Sequence, residues 1–118
     1  MGLANQSIRI SNCVDLGNNG PTVELNNRLT LIVSRSTSQP ARQSISFAGG
    51  IQVLNFISGV NAILQTATMV GGLYVFVNTQ PGVVTLALDN NGTVGGQAIY
   101  TLAWGAPVKF FFDGINLN

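Results

Sequence analysis

Short apolar runs, most of them ended by glycine, asparagine or proline, alternate with polar turns along the chain. In "RLTLIVS" the residues Leu29, Leu31 and Val33 share one face, and "VTLAL" shows the same spacing. Alternation with period two is typical of a β-strand that buries one face. The pattern predicts strands at Ser7–Ile10, Thr22–Leu25, Arg28–Ser34, Gln43–Phe47, Ile51–Ile57, Ala62–Met69, Leu73–Asn78, Val83–Leu88, Gln97–Ala103 and Val108–Phe112.

The segments between these strands have the composition of turns. "GNNGP", "AGG", "NTQPG" and "NNGTVGG" favour hairpins and tight corners. No internal repeat is evident. Many short strands at close spacing predict an all-β fold, a single antiparallel β-sandwich or jelly-roll domain of about 8–10 strands. One stretch, "VLNFISGVNAILQ", also allows a short helix, because Leu54, Ile57, Val60 and Leu64 recur at helical spacing, although Gly59 argues against it.

Length and charge limit the class of protein. The 118 residues predict one domain over 1–118, with 1–6 as a candidate extended arm. Charged residues make up 8% of the chain and the net charge is +1, so we expect no nucleic-acid partner. No run approaches the roughly 20 apolar residues of a spanning helix, and the N-terminus lacks the apolar core of a signal peptide. We therefore expect no membrane partner.

Candidate catalytic groups are scarce. The chain has no histidine and a single cysteine, Cys13, which removes the commonest general base and most zinc geometries. Asp15, Asp89 and Asp113 stand beside turn residues, where aspartate caps backbone N–H groups. A carboxylate pair for glycoside hydrolysis stays open, since residues distant in sequence can meet, and "LDNNGTVGG" is an alternative calcium loop. We therefore expect that the protein is not an enzyme and that it binds no cofactor and no metal.

Several strands are apolar on both faces. In "FFF" at 110–112, neighbours point to opposite sides, so Phe111 faces away from Phe110 and Phe112. The same holds for "LIV" at 31–33 and "YVFV" at 74–77. Such strands need a partner, most simply another copy of the chain, and permanent interfaces tolerate few charges. The candidate interface residues are Phe110, Phe111, Phe112, Tyr74, Phe76, Arg35 and Arg42.

Two further aromatic residues suggest an alternative function. Trp104 lies in the turn "WGAP", where it either covers one end of the core or offers a platform for a sugar ring. Together with Tyr100 it supports the alternative hypothesis of a carbohydrate-binding β-sandwich.

The segment "GGLYVFVNTQPGVVTLALDNNGTVGGQAIYTLAWG" resembles β-rich modules of tailed-bacteriophage virion proteins, namely head decoration (cement) proteins and head fibres. The shared features are a strand ending in asparagine (Tyr74–Asn78), a glycine turn, a "VTLAL" strand (Val84–Leu88), a glycine-rich turn and a further strand (Ala98–Leu102). The resemblance covers about a third of the chain. It implies a small jelly roll or related sandwich, a homotrimer on the capsid surface, made in the host cytoplasm and bound to a major capsid or other virion protein. The absence of heptads or long repeats favours a decoration protein over a fibre.

Overall fold

A computed structural model describes residues 22–25, 28–34, 42–57 and 59–118 of the chain. Within these ranges the strands are β1 Thr22–Leu25, β2 Arg28–Val33, β3 Arg42–Ile45, β4 Val53–Phe56, β5 Asn61–Leu64, β6 Gly72–Asn78, β7 Val83–Leu88, β8 Tyr100–Ala103 and β9 Val108–Phe112, with a 3₁₀ turn at Thr66–Thr68. Each overlaps one predicted strand, and the predicted all-β class is confirmed. The predicted strand Ser7–Ile10 and the candidate arm 1–6 lie outside the described residues. None of the described residues forms a helix long and apolar enough to cross a membrane.

The strands form two sheets between which the chain passes repeatedly. Sheet A has the order β1-β2-β4-β6-β9, and sheet B has the order β3-β5-β7-β8. From β2 to β7 successive strands alternate between the sheets. A strand that returns to its own sheet after crossing the other one runs in the same direction as its predecessor, so β2, β4 and β6 are parallel, as are β3, β5 and β7.

The prediction of an antiparallel sandwich is therefore wrong for the centre of both sheets. Antiparallel pairs occur only at their margins, where β1 joins β2, β8 joins β7 and β9 joins β6. The turn chemistry was ambiguous because a glycine corner serves a crossing between sheets as well as a hairpin within one.

The number of residues between successive parallel strands of the same sheet is not constant. Positions 30, 53 and 75 stand in one row across sheet A, at spacings of 23 and 22 residues. In sheet B the corresponding row is 42, 61 and 85, at spacings of 19 and 24. Since neither the spacing nor the residue type is constant, the structural repetition leaves no repeat in the sequence.

The core lies between the two sheets, because buried residues of both belong to one cluster. The alternation predicted for β7 is confirmed, because Val84, Leu86 and Leu88 are buried in this cluster. In β2 Leu31 and Val33 are buried in it as well, but Thr30 and Ile32 on the opposite face are also fully buried, so the prediction that β2 buries only one face is wrong. Edge-to-face aromatic contacts fix its centre, for example Phe47 with Tyr74 at a centroid distance of 5.1 Å. Burying each large apolar side chain stabilises the fold by about 1.5–3 kcal/mol.

The helical alternative for "VLNFISGVNAILQ" is wrong. The segment forms β4 in sheet A and β5 in sheet B, with Ile57 and Val60 buried at the corner between them. The Ile57 N–H donates to the Val33 carbonyl at 3.1 Å, which continues the parallel ladder beyond β4. A Cβ on Gly59 would lie 3.3 Å from the Val83 carbonyl oxygen, so the chains approach closely here.

A buried asparagine holds the "NTQPG" corner that leads from β6 to β7. The Asn78 Nδ2 donates to the carbonyls of Gly82 at 2.9 Å and Leu102 at 3.2 Å, and the Asn78 carbonyl accepts from the Gly105 N–H at 3.1 Å. Gly82 has a φ of +118°, a conformation that favours glycine. The Pro-Gly turn thus joins the two sheets rather than two neighbours of one sheet.

Candidate functional site

Four of the predicted interface residues lie in the core. Phe110 and Phe112 of β9 are 7% and 2% exposed, and Tyr74 and Phe76 of β6 are fully buried. Alternation points all four toward sheet B. They are therefore unavailable to a partner, which corrects their assignment as contact residues.

Phe111 has the predicted opposite orientation. Its side chain is 50% exposed on the outer face of sheet A, and the register places it directly opposite Leu73, which is 51% exposed. Opposite residues of neighbouring strands have Cβ atoms about 4.5–5.5 Å apart, so the two side chains form one apolar pair on the surface.

The apolar pair continues into the adjoining strands. Val75 of β6 stands opposite Val53 of β4, and Val77 stands opposite Asn55. These four side chains are half-buried. We call Val53, Leu73, Val75, Val77 and Phe111 the outer apolar face.

Few charges interrupt this outer apolar face. Among the described residues of β4, β6 and β9, one cation, the exposed Lys109 opposite Val75, shares the face with the amide of Asn55. Contiguous exposed apolar patches on soluble proteins mark sites of association.

Strand β2 does not extend the exposed part of this face. Thr30 and Ile32 project on the same side as Val53 by alternation, yet both are fully buried. Leu31 and Val33 on the other side are buried as well. The two apolar faces predicted for "LIV" are thus both buried within the chain, so residues 30–33 offer no surface to a partner.

The two arginines predicted at the interface are not brought to the outer apolar face. Arg42 is exposed on β3, the edge strand of sheet B, and its row partner Asn61 is on the outer side of that sheet. Arg42 and Phe111 therefore belong to different sheets and to opposite outer faces. Arg35 lies outside the described residues.

The two aromatic residues of the alternative hypothesis do not form one platform. The Tyr100 ring is half-buried and packs edge-on against Phe110 at a centroid distance of 5.1 Å. Trp104, just after β8, is 61% exposed, so the interpretation as a cover over the core is wrong. At about 3.3 Å per residue along an extended chain, the two lie roughly 13 Å apart.

Asp113 caps a turn, as the sequence predicts. Its Oδ1 accepts from the N–H groups of Asn116 and Ile115, both at 2.8 Å, and its Oδ2 accepts from the Asn118 amide at 2.8 Å. These bonds, led by the one from Asn116, lower the pKa of the Asp113 carboxyl because they stabilise its ionised form. The carboxylate thus has a structural role in the C-terminal turn.

Asp89 caps a different turn from the one expected. Its Oδ1 accepts from the N–H and hydroxyl of Thr66, at 3.0 and 2.8 Å, and so holds the 3₁₀ turn after β5. Glu24 is exposed on β1, and Asp15 lies outside the described residues. The described part of the chain contains no group of three or more His, Cys, Asp and Glu residues that would hold a metal.

Sequence reasoning missed four members of the outer apolar face, Val53, Leu73, Val75 and Val77. Alternation through β6 was the signal that finds three of them, because Leu73, Val75 and Val77 face away from Tyr74 by the same rule that turns Phe111 outward. No family model, curated protein or solved structure was found to match the chain. The outer apolar face is therefore the strongest indication of function.

Proposed function

We propose that the chain is a non-enzymatic structural protein of a virion, a capsid decoration protein that assembles with copies of itself and with a major capsid or other virion protein. The observation that carries the proposal is the apolar pair Leu73–Phe111, which joins β6 to the edge strand β9 on a face where β4, β6 and β9 carry one charge, Lys109.

Single exposed apolar residues are common on soluble proteins and need no explanation. Here two half-exposed side chains lie opposite each other, and further valines of the same face adjoin them. Covering the exposed halves of Leu73 and Phe111 contributes about 1 kcal/mol each, by proportion to full burial. A symmetric assembly uses the same patch in every copy, so this contribution recurs at each contact.

The virion assignment has two supports besides the outer apolar face. One is the low charge, 8% of residues, which suits a permanently covered surface. The other is the resemblance of residues 71–105 to decoration proteins, from which we take the trimer as the expected oligomer. The parallel centre of both sheets differs from the jelly roll that this resemblance implies, so topology does not support the proposal.

Replacing Phe111 by serine tests the assembly. Wild type is expected to sediment as an oligomer, with a mass near three times the 12.4 kDa of the chain. Phe111→Ser is expected to weaken each contact about tenfold, because a change of about 1.4 kcal/mol alters an association constant by that factor. The far-ultraviolet circular dichroism spectrum should be unchanged, since the side chain lies outside the core.

Val83→Ser is the matched control. Val83 is 56% exposed, much like Phe111, but it starts β7 in sheet B. This variant should leave the oligomer intact. A wild-type mass near 12.4 kDa at micromolar concentration would contradict the assembly, and flanking reading frames that encode no capsid or tail proteins would contradict the virion role.

A further inference from the structure

The outer face of sheet B carries a groove on the side of the molecule opposite the outer apolar face. It consists of two adjoining depressions of about 430 and 270 Å³. Both are lined by Arg42, Ile63, Ala87 and Ile99. The groove therefore draws its walls from β3, β5, β7 and the loop before β8.

A short side chain creates the depression. Ala87 stands directly opposite Ile63 in the register of β5 and β7, and Ile99, 61% exposed, lies on the other side. Because the Ala87 methyl is smaller than the two isoleucines, the floor is low and apolar between them.

Polar groups stand along both ends of the floor. At one end Arg42, Asn61 and Thr85 form a row across three strands, with the Thr85 hydroxyl donating to the Asn61 Oδ1 at 2.7 Å. The Asn61 Nδ2 thus remains as a donor. At the other end Asp89 and Asn91 line the larger depression.

Two of these groups have unused bonding capacity. The Arg42 guanidinium has no hydrogen bond or ion pair with another described residue, and the Oδ2 of Asp89 has none either, since only its Oδ1 is engaged by Thr66. The whole chain has nine charged residues, and two of them with opposite sign, Arg42 and Asp89, line this one groove.

We propose that this groove binds a neutral saccharide. Sugar hydroxyls donate and accept hydrogen bonds, and the groove offers donors in Arg42 and Asn61 and an acceptor in Asp89. The apolar floor suits the C–H faces of a sugar ring. Since the opposed charges nearly cancel, the groove does not favour a phosphate or a nucleic acid, whose binding needs an excess of positive charge.

An extended peptide fits this surface less well. Peptides that add to sheets use main-chain hydrogen bonds along a free strand edge. The floor of this groove is the face of β5 and β7, whose backbone groups are engaged in ladders with their neighbours. On this floor side chains present the donors and acceptors, and a saccharide needs no more than that.

The test is a nuclear magnetic resonance titration of the ¹⁵N-labelled protein with glucose, galactose and N-acetylglucosamine in turn. We expect at least one sugar to shift the amide signals of Ile63, Ala87 and Asn91 in a saturable manner, with little effect on Trp104. Arg42→Gln is expected to raise the Kd about tenfold, the loss of affinity typical of a hydrogen bond to a charged group. Ala87→Leu, which fills the low floor of the groove, should raise the Kd as well.

Lys109→Gln is the control, because it removes an exposed cation from sheet A instead. Lys109→Gln should leave the signal shifts and the Kd unchanged. The melting temperatures of all three variants should match that of wild type. Three results would overturn the proposal: no saturable shift with any of the sugars, shifts confined to Trp104 and Tyr100, or shifts at the groove only with inorganic phosphate or an acidic tripeptide. Loss of self-association in Phe111→Ser with intact sugar binding would separate this groove from the assembly surface.

Discussion

Tyr74 combines a fully buried ring with a satisfied hydroxyl. The ring packs edge-on against Phe47 and Phe112, with centroid distances of 5.1 and 6.3 Å. The hydroxyl donates to the Val70 carbonyl and accepts from the Val70 N–H, both at 2.8 Å. One side chain thus satisfies both backbone groups of a residue in the segment that leads into β6.

This arrangement predicts a specific dependence of stability on pH. Burial raises the pKa of Tyr74, and the bond to Val70 opposes the rise only in part. A raised pKa means that the folded state holds the phenolic proton more tightly than the unfolded state. The resulting stability is complete below the unfolded pKa of about 10 and is lost as the pH rises through the folded pKa.

Tyr74→Phe tests this expectation. At neutral pH it should lower the free energy of unfolding by about 1–2 kcal/mol, because both groups of Val70 lose their partner. The difference in the free energy of unfolding between wild type and Tyr74→Phe should then become smaller as the pH is raised above about 10. Urea denaturation at several pH values measures both effects, and a constant gap across this range would contradict the assigned role of the hydroxyl.

At the scale of elements, the C-terminal segment is fastened to the loop between β7 and β8. The Leu117 N–H donates to the Thr93 carbonyl at 2.9 Å, and the Thr93 N–H donates to the Asn116 Oδ1 at 2.8 Å. Gly92 lies between the two segments. A Cβ on it would be 2.4 Å from the Ile115 carbonyl oxygen, a distance that requires the backbone to move.

Gly92→Ala is therefore expected to destabilise the protein by about 2 kcal/mol or more, as for other changes that force packed backbone apart. Gly71→Ala is the comparison, since its Cβ would be 3.6 Å from the Phe112 carbonyl oxygen, an ordinary contact. Thermal melts of the two variants measure the difference. Equal melting temperatures would show that the C-terminal segment is not tightly held.

The positions of the strands followed from the sequence, whereas their partners did not. Period-two alternation in β6 and β9 fixes which side chains share a face, and it turned Phe111 outward and Phe110 inward as predicted. It says nothing about which strand lies alongside. Parallel neighbours arise here because β2 to β7 cross between sheets at every step, and a glycine corner has the same composition in either case.

The groove on sheet B was beyond sequence reasoning for a related reason. Its residues come from four separate stretches, around positions 42, 61–63, 85–91 and 99, which only the register of parallel strands brings together. The sequence predicts Arg42 only as an interface residue. Ala87 gives no signal in the sequence, since its role depends on the longer side chains beside it.

At the scale of the whole molecule, the two sheets present outer faces of different character. Sheet A exposes the outer apolar face, with Lys109 on β9 and Arg28 at the start of β2 as exposed cations, whereas sheet B exposes the polar row of Arg42, Asn61 and Thr85. The inner faces of both sheets pack into one core. A molecule of this kind can be covered on one side and still offer the other side to a ligand, so the proposed self-association and the proposed saccharide binding would not compete for surface.

The contrast predicts how the assembly responds to salt. Exposed ion pairs contribute about 0–1 kcal/mol each and are screened when the Debye length falls from about 10 Å at 0.1 M to about 3 Å at 1 M ionic strength. Apolar contacts do not depend on this screening, and sulfate strengthens them because it is excluded from protein surfaces. Since Leu73 and Phe111 are at the centre of the proposed contact, the sedimentation coefficient of the oligomer should stay the same between about 0.1 and 1 M NaCl, and sodium sulfate should oppose dissociation on dilution. Dissociation at high NaCl would show instead that charged residues such as Lys109 and Arg42 hold the copies together, and the outer apolar face would then lose its role.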